Sequence, residues 1–330
     1  MVLADDEWPH LFSTRREDVD LPADHVHGSV YLDFDEGVDV FVSQLRRLVP
    51  DHAVLAFDEW THALRRERSF LFAGDPPVDG GRVMSQAKAT KTSDELAYMR
   101  EGLRITEQAI AEVQARIVPG VRQTDLTATF LRNVFDAGAD ANILDPIWQV
   151  MPARLADGPW TTTGDLACPL LSTERELVEG DVLWVDTGID YEGYASDFGC
   201  TFVVGGPEAR HRDQAARWRE IVDHCLDVLK PGATGGDLVR AATTDGGRRP
   251  WLPHLYLAHG IGTNSAEMPL VGTDLGDEFD DALVLGPGMV LVFEPIVWDD
   301  GEAGFRAEEI VAVTDDGYER LSTPDGGPRG

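Results

Sequence analysis

The chain has 330 residues, 43% of them apolar, and a formal net charge of −31. That length and apolar content allow a globular core in one large or two moderate domains. No run of about eighteen apolar residues predicts a membrane span, and so acidic a surface repels nucleic acid and anionic bilayers.

Lysine is scarce: Lys88, Lys91 and Lys230 are the only three among 28 basic residues. With the acidity, this predicts a protein suited to concentrated salt, where the Debye length falls to about 3 Å at 1 M and self-repulsion is screened. The stretch MVLADDEWPH has no basic and apolar leader, so no signal peptide is expected. Cys168, Cys200 and Cys225 are too widely spaced for a disulfide framework or a CxxC metal knuckle. They read as small buried apolar residues in a protein of the reducing cytoplasm.

Residues 1–86 predict a small α/β domain. SVYLDFDEGVDVFVSQLRRLV reads as a strand and then an amphipathic helix, HAVLAFDEW as another strand, and LFAGDPPVDGGRV as a Pro- and Gly-rich boundary. A larger domain over 87–330 opens with TKTSDELAYMREGLRITEQAIAEVQARIVPG. Thr92 and Glu95 there have capping-box spacing, and Leu96, Met99, Leu103, Ile110, Val113 and Ile117 recur at helical intervals. Pro119–Gly120 ends that helix. A second long helix is predicted from about Glu208 to Leu229, with Trp218, Ile221, Val222 and Cys225 on one side. PGVRQTDL, from Pro119, and PGATGGDL, from Pro231, each follow a long helix and precede a further helical pattern. Strand-rich segments follow each pair, so two similar halves about a pseudo-twofold axis are predicted.

Acids interrupt the strand-rich segments. VLWVDTGIDYEGYASDFGCTF reads as a hairpin around Glu192–Gly193, yet Asp186 and Asp197 lie inside its apolar runs. Strands about 4.8 Å apart would bring the two carboxylates close. His259 ends an apolar run in YLAHGIG, Glu294 interrupts MVLVFEPIVW, and Glu308 stands at the start of the strand in FRAEEIVAVT. Buried carboxylates shift their pKa, pair or bind a cation. Four of them with one imidazole suit Mn, Fe, Co or Zn, and two such ions could share one water. Each residue also has a plainer reading: His259 as a core histidine, Asp186 and Asp197 as turn caps, Glu308 with Glu309 as a solvated edge.

The hairpin resembles that of the creatinase, aminopeptidase P, prolidase and methionine aminopeptidase superfamily. HGIG, FEP and FRAEEIVAVT resemble that superfamily's later strands, and AKATKTSDELAYMREGLRIT resembles the first helix of its Xaa-Pro peptidase branch. The likeness spans about residues 82 to 321. It implies an α+β pita-bread fold of two helix-helix-strand halves, preceded by a reduced α/β amino-terminal domain, and two divalent metal ions. By position, Asp186 would chelate one ion, Asp197 and Glu308 would bridge both, and His259 and Glu294 would complete the second. Glu294 is also a candidate catalytic group. Arg306 would orient the site or touch substrate, its plainer reading being a surface ion pair. The implied chemistry is attack by a metal-held hydroxide on the amide carbonyl of a short Xaa-Pro peptide.

Two departures qualify this. One family histidine should fall near Cys168–Pro169, and another at Ala266 of AEMP; neither is a histidine here. His254, five residues before His259, would be the substitute, its plainer reading being a strand entry or surface loop. General acid–base help is lost where alanine stands. Two other readings therefore remain: a pita-bread enzyme acting on a small nitrogen or sulfur osmolyte, and a binding protein with weakened catalysis. The short amino-terminal domain also leaves the family's homodimer contacts in question.

Overall fold

The computed structural model describes residues 8–13, 19–50, 53–66, 78–158, 172–244, 246–251, 256–323, 327 and 329. Residues 1–7, Cys168, Pro169, His254 and part of the Pro/Gly stretch at 71–83 lie outside them. The chain divides into two compact units, Met1–Ser85 and Gln86–Gly330.

In the first unit, β1 (Leu11–Ser13) pairs in parallel with β2 (Val26–Gly28), α1 spans Asp35–Leu48, and β3 (Ala56–Phe57) precedes α2 (His62–Arg66) and pairs in parallel with β4 (Val78–Asp79). Helix α1 places acids in its first turn and Arg46 and Arg47 in its last, matching its dipole. It buries Val38, Phe41, Val42 and Leu45 against Ala63 and Leu64. SVYLDF, which has strand composition, is not a strand. It turns instead, with the Leu32 carbonyl accepting from Thr61 Oγ1 at 2.5 Å and with Tyr31 and Phe34 exposed. HAVLAFDEW contributes only the two residues of β3.

Next come α3 (Gly81–Ala89) and α4 (Ser93–Gln114). Thr92 Oγ1 accepts from the Glu95 N–H while Glu95 accepts from the Thr92 N–H, the expected capping box. Helix α5 (Gln123–Asp136) leads into β5 (Ala141–Val150). Strand β6 (Val182–Tyr191) turns through Glu192 and Gly193, both at positive φ, into β7 (Tyr194–Ala195) and β8 (Phe198–Val203). β6 is central, antiparallel to both β5 and β8.

The second half repeats this order with α6 (Ala209–Val228), α7 (Gly235–Ala242), β9 (Ala258–Gly260) and β10 (Glu267–Val271). After α8 (Asp277–Ala282) come β11 (Val290–Phe293), β12 (Ile296–Trp298), β13 (Gly304–Arg306), β14 (Glu309–Val313) and β15 (Tyr318–Arg320). The main sheet here has the order β10-β9-β11-β14-β15, all antiparallel.

The matching Asp-Leu pairs in the two PG segments do the same work. Asp125 and Asp237 each accept from the backbone N–H at the start of their helix, while Leu126 and Leu238 are fully buried. Each leucine contributes about 1.5–3 kcal/mol by burial. One core packs Met99, Leu103, Ile110, Leu126 and Phe130 against β6 and β8 residues. The other packs Trp218, Val222, Cys225 and Leu238 against Phe293, Phe305 and Val311. The halves are tied where Arg306 N–H donates to Thr201 Oγ1 (3.1 Å), Thr201 Oγ1 donates to the Arg306 carbonyl (2.6 Å), and Glu308 N–H donates to the Gly199 carbonyl (3.0 Å).

Candidate metal centre

That seam gathers all five metal candidates. Asp186 is in the middle of β6, and Asp197 stands between β7 and β8. His259 is the central residue of β9, Glu294 follows β11 just before Pro295, and Glu308 lies between β13 and β14. One carboxylate oxygen each from Asp186, Asp197 and Glu308 lie within 4.8 Å of one another. His259 Nε2 is 3.4 Å from Asp197 Oδ2 and 3.3 Å from Glu294 Oε1. Gly199, paired with Asp186 across the hairpin, makes room for Glu308: a Cβ there would stand 3.0 Å from Glu308 Cδ.

The His259 ring is oriented from behind. Its Nδ1–H donates to the Gly260 carbonyl at 3.0 Å, which leaves the Nε2 lone pair aimed at the carboxylates. The Tyr256 ring packs against it, with centroids 5.2 Å apart.

Arg306 is buried among the acids rather than on the surface. Its Nη1 is 2.9 Å from Asp186 Oδ2, and its Nη2 is 2.8 Å from Glu308 Oε1 and also contacts Glu294 Oε2. Burial alone would lower its pKa, but Asp186, Glu294 and Glu308 hold it well above the usual arginine value.

One guanidinium does not neutralise four carboxylates. Burial, then Glu308 and Asp186, push Asp197 well above the usual carboxylate range. Burial also drives Glu308 far upward; Arg306 opposes the rise, and repulsion from Asp186 and Glu294 adds to it. Around His259, burial opposes charge but Glu294 and Asp186 outweigh it and raise the imidazole pKa. Among the described residues, Asp186 Oδ1, Asp197 Oδ1 and Glu308 Oε2 meet no hydrogen-bond donor, although all are shielded from solvent. Oxygens left without a donor in a buried, net-negative cluster beside an imidazole nitrogen are the donor set that hard and borderline dications take.

Residues 97–315 match metallopeptidase family M24. The chain belongs to that family. Over 319 residues it is 24% identical to an uncharacterized peptidase of Staphylococcus saprophyticus, covering 94% of this chain and 84% of that one. Over 244 residues it is 26% identical to the Xaa-Pro dipeptidase of Pyrococcus furiosus, covering 73% and 65%. In three dimensions it is similar to the X-Pro aminopeptidase of Thermotoga maritima, with a TM-score of 0.74 and 22% identity over 92% of this chain and 79% of that one. The Pyrococcus furiosus prolidase gives 0.72 and 23% over 91% and 82%. The pita-bread fold implied by the resemblance is the fold observed, and the carboxylate cluster suits a family of metal-dependent peptidases.

Two features escaped the sequence reading. Glu309 is no solvated edge: it is 1% exposed, faces away from Glu308 and is clamped by Arg219 (2.9 Å) and Arg320. Both arginines also approach Asp223 at 3.8 Å, so the four groups close a ring joining α6, β14 and β15. Behind β9 lies a second buried ion cluster around Glu267. Alternation along FRAEE could have separated Glu308 from Glu309 onto opposite faces; no local signal connects Glu267 to its partners.

Proposed function

We propose that this chain is a dinuclear metal-dependent hydrolase that cleaves short Xaa-Pro peptides. The observation that carries the reading is the convergence of Asp186, Asp197, His259, Glu294 and Glu308 on one buried point, where oxygens of Asp186, Asp197 and Glu308 meet no hydrogen-bond donor among the described residues. Asp186, Asp197, His259, Glu294 and Glu308 would hold the two ions. When bound, two dications supply the positive charge that ionises water and polarises an amide carbonyl. Arg306, whose two Nη atoms pair with three carboxylates, would act by fixing their geometry rather than by touching substrate. His259 Nδ1–H donates to the Gly260 carbonyl and so leaves the Nε2 lone pair available to an ion. Glu294, which accepts from Arg306 and lies beside His259, would take a proton during the reaction.

Protein loaded with Mn2+ should hydrolyse Xaa-Pro dipeptides in high salt, and Glu308→Gln should abolish that activity. Absence of turnover across a proline-dipeptide panel by protein that does bind metal would remove the peptide reading. A second reading has its own support. At Ala266, where the superfamily has a proton-moving histidine, there is an exposed methyl. The surviving site then suits a small nitrogen or sulfur osmolyte whose cleavage needs no such donor. Turnover of such a compound with none of any peptide would select it.

A further inference from the structure

Two of the chain's three lysines meet at one buried acid. Lys91 Nζ is 2.8 Å from Glu267 Oε1, and Lys88 Nζ is 3.3 Å from Glu267 Oε2. The Lys91 and Glu267 side chains are 2% and 6% exposed, that of Lys88 28%. Elsewhere the chain relies on arginine, Lys230 being the one other lysine. Surface adaptation to salt would not retain lysine at a buried position, so a geometric need does.

The surroundings show that need. Glu267 pairs across the β9–β10 ladder with Gly260, the residue after His259. The turn joining the two strands wraps over the ion cluster: Thr263 Oγ1 reaches Glu267 Oε2 at 3.5 Å. With its amide turned to donate to the Thr263 carbonyl, Asn264 accepts from Lys88 Nζ at 3.0 Å. At Gly262 a Cβ would stand 2.8 Å from Lys91 Cε. The Gly262 carbonyl accepts from the Ala195 N–H at 2.7 Å, two residues before Asp197. Lys91 is anchored in turn, its N–H donating to the Gly288 carbonyl at 2.8 Å just before β11, the strand that leads to Glu294. A slim ammonium fits against Gly262, whereas a broad planar guanidinium with five donors does not.

We propose that Lys91, Lys88 and Glu267 form a latch that sets the distance between the His259 strand and the Asp197 hairpin. They are positioning residues for the metal centre, acting through Gly260 and His259 on one side and through Gly262 and Ala195 on the other. The inference rests on the reading of His259 and Asp197 as metal ligands. It goes beyond that reading by naming what holds the two halves of the ligand set in register. Partners that orient ligands from the second layer typically cost 10–100-fold in metal affinity when changed.

The test uses the full chain with Lys91→Arg, which keeps the charge, and Glu267→Gln, with Mn2+ binding followed by titration calorimetry. Metal-free stability is measured in parallel, and amide exchange is followed at Ala195 and Gly262. Both variants are expected to bind Mn2+ 10–100-fold more weakly than wild type, with faster exchange at Ala195 and a far smaller change in metal-free stability. Lys91→Met combined with Glu267→Leu removes the buried charges together, so the fold survives while Mn2+ affinity stays low. Wild-type Mn2+ affinity in Lys91→Arg overturns the latch, as does unchanged Ala195 protection. Wild-type protein that binds none of Mn2+, Fe2+, Co2+ and Zn2+ refutes the metal centre instead, and the Ala195 exchange then decides the latch alone.

Discussion

Glu308→Gln separates a metal centre from a structural ion cluster, because the two predict opposite effects in metal-free protein. The Glu308 carboxylate lies within 4.8 Å of oxygens on both Asp186 and Asp197. At an effective dielectric near 20, each such repulsion between ionised groups would be at least about 3.5 kcal/mol, and with burial it drives Glu308 and Asp197 toward their protonated forms. Its largest attraction, to Arg306 Nη2 at 2.8 Å, would be about 6 kcal/mol on the same scale, and the Gly199 backbone adds a smaller one. Glu294 adds a further repulsion. The charge is therefore no asset without metal, and the neutral amide should leave the metal-free melting temperature unchanged or raised. With metal the order reverses. Wild type at a free Mn2+ concentration of about 1,000 times its Kd gains about 4 kcal/mol by linkage. If the variant binds about 100-fold more weakly, it gains only about 1.4 kcal/mol at the same concentration. Urea unfolding of chelator-treated protein, with and without Mn2+, measures both numbers. A variant that loses several kcal/mol without metal, yet keeps the full metal-induced gain, would make Glu308 a structural partner of Arg306 rather than a ligand.

The same crowding sets a pH dependence. Asp197 and Glu308 have folded pKa values far above their unfolded ones, so the stability linked to them is complete below about pH 4 and lost as pH rises through the folded values. Metal-free protein should thus melt higher at pH 5.5 than at pH 7.5. Saturating Mn2+, which needs the deprotonated ligands, should invert that order. Glu309→Gln should cost about 2 kcal/mol in urea midpoint, because it strands Arg219 and Arg320 and their partial exposure screens the loss. With a net charge of −31, the melting temperature should rise between 0.1 and about 1 M KCl as the Debye length falls from about 10 to 3 Å; a flat profile would end the salt-adaptation reading. Ala266→His should raise turnover of Xaa-Pro dipeptides by about 10²-fold, since an imidazole at that exposed position restores proton transfer; steady-state kinetics at fixed Mn2+ checks it.

What the sequence revealed depended on whether a residue's cost was visible locally. Asp186 and Asp197 stood out because an acid inside an apolar strand must be compensated somewhere, and the structure brings them to a common point with Glu308. The capping box at Thr92 and the helix over Ala209–Val228 were likewise encoded in neighbouring residues. SVYLDF misled because strand composition is not strand pairing: a strand needs a partner's backbone, and Ser29–Phe34 has none among the described residues. Lys91 and Glu267 are 176 residues apart, and nothing near either one announces the other.

Glu308 and Glu309 show how far the local logic reaches. Both are buried acids, adjacent in sequence, and both needed compensation. Strand geometry sends them to opposite faces, and the two faces solve the problem differently. Behind the sheet, two arginines from α6 and β15 close on Glu309 and satisfy both of its oxygens. Toward the seam, Glu308 shares a single arginine with two other acids and keeps an oxygen without a donor. Had the fold needed only to neutralise charge, the Glu309 arrangement shows that it could have supplied more arginine. The incomplete pairing on the Glu308 face is therefore an arrangement suited to cations from outside the chain. For the same reason, replacing the arginine partners of Glu309 should reduce stability, whereas replacing Glu308 should reduce metal binding.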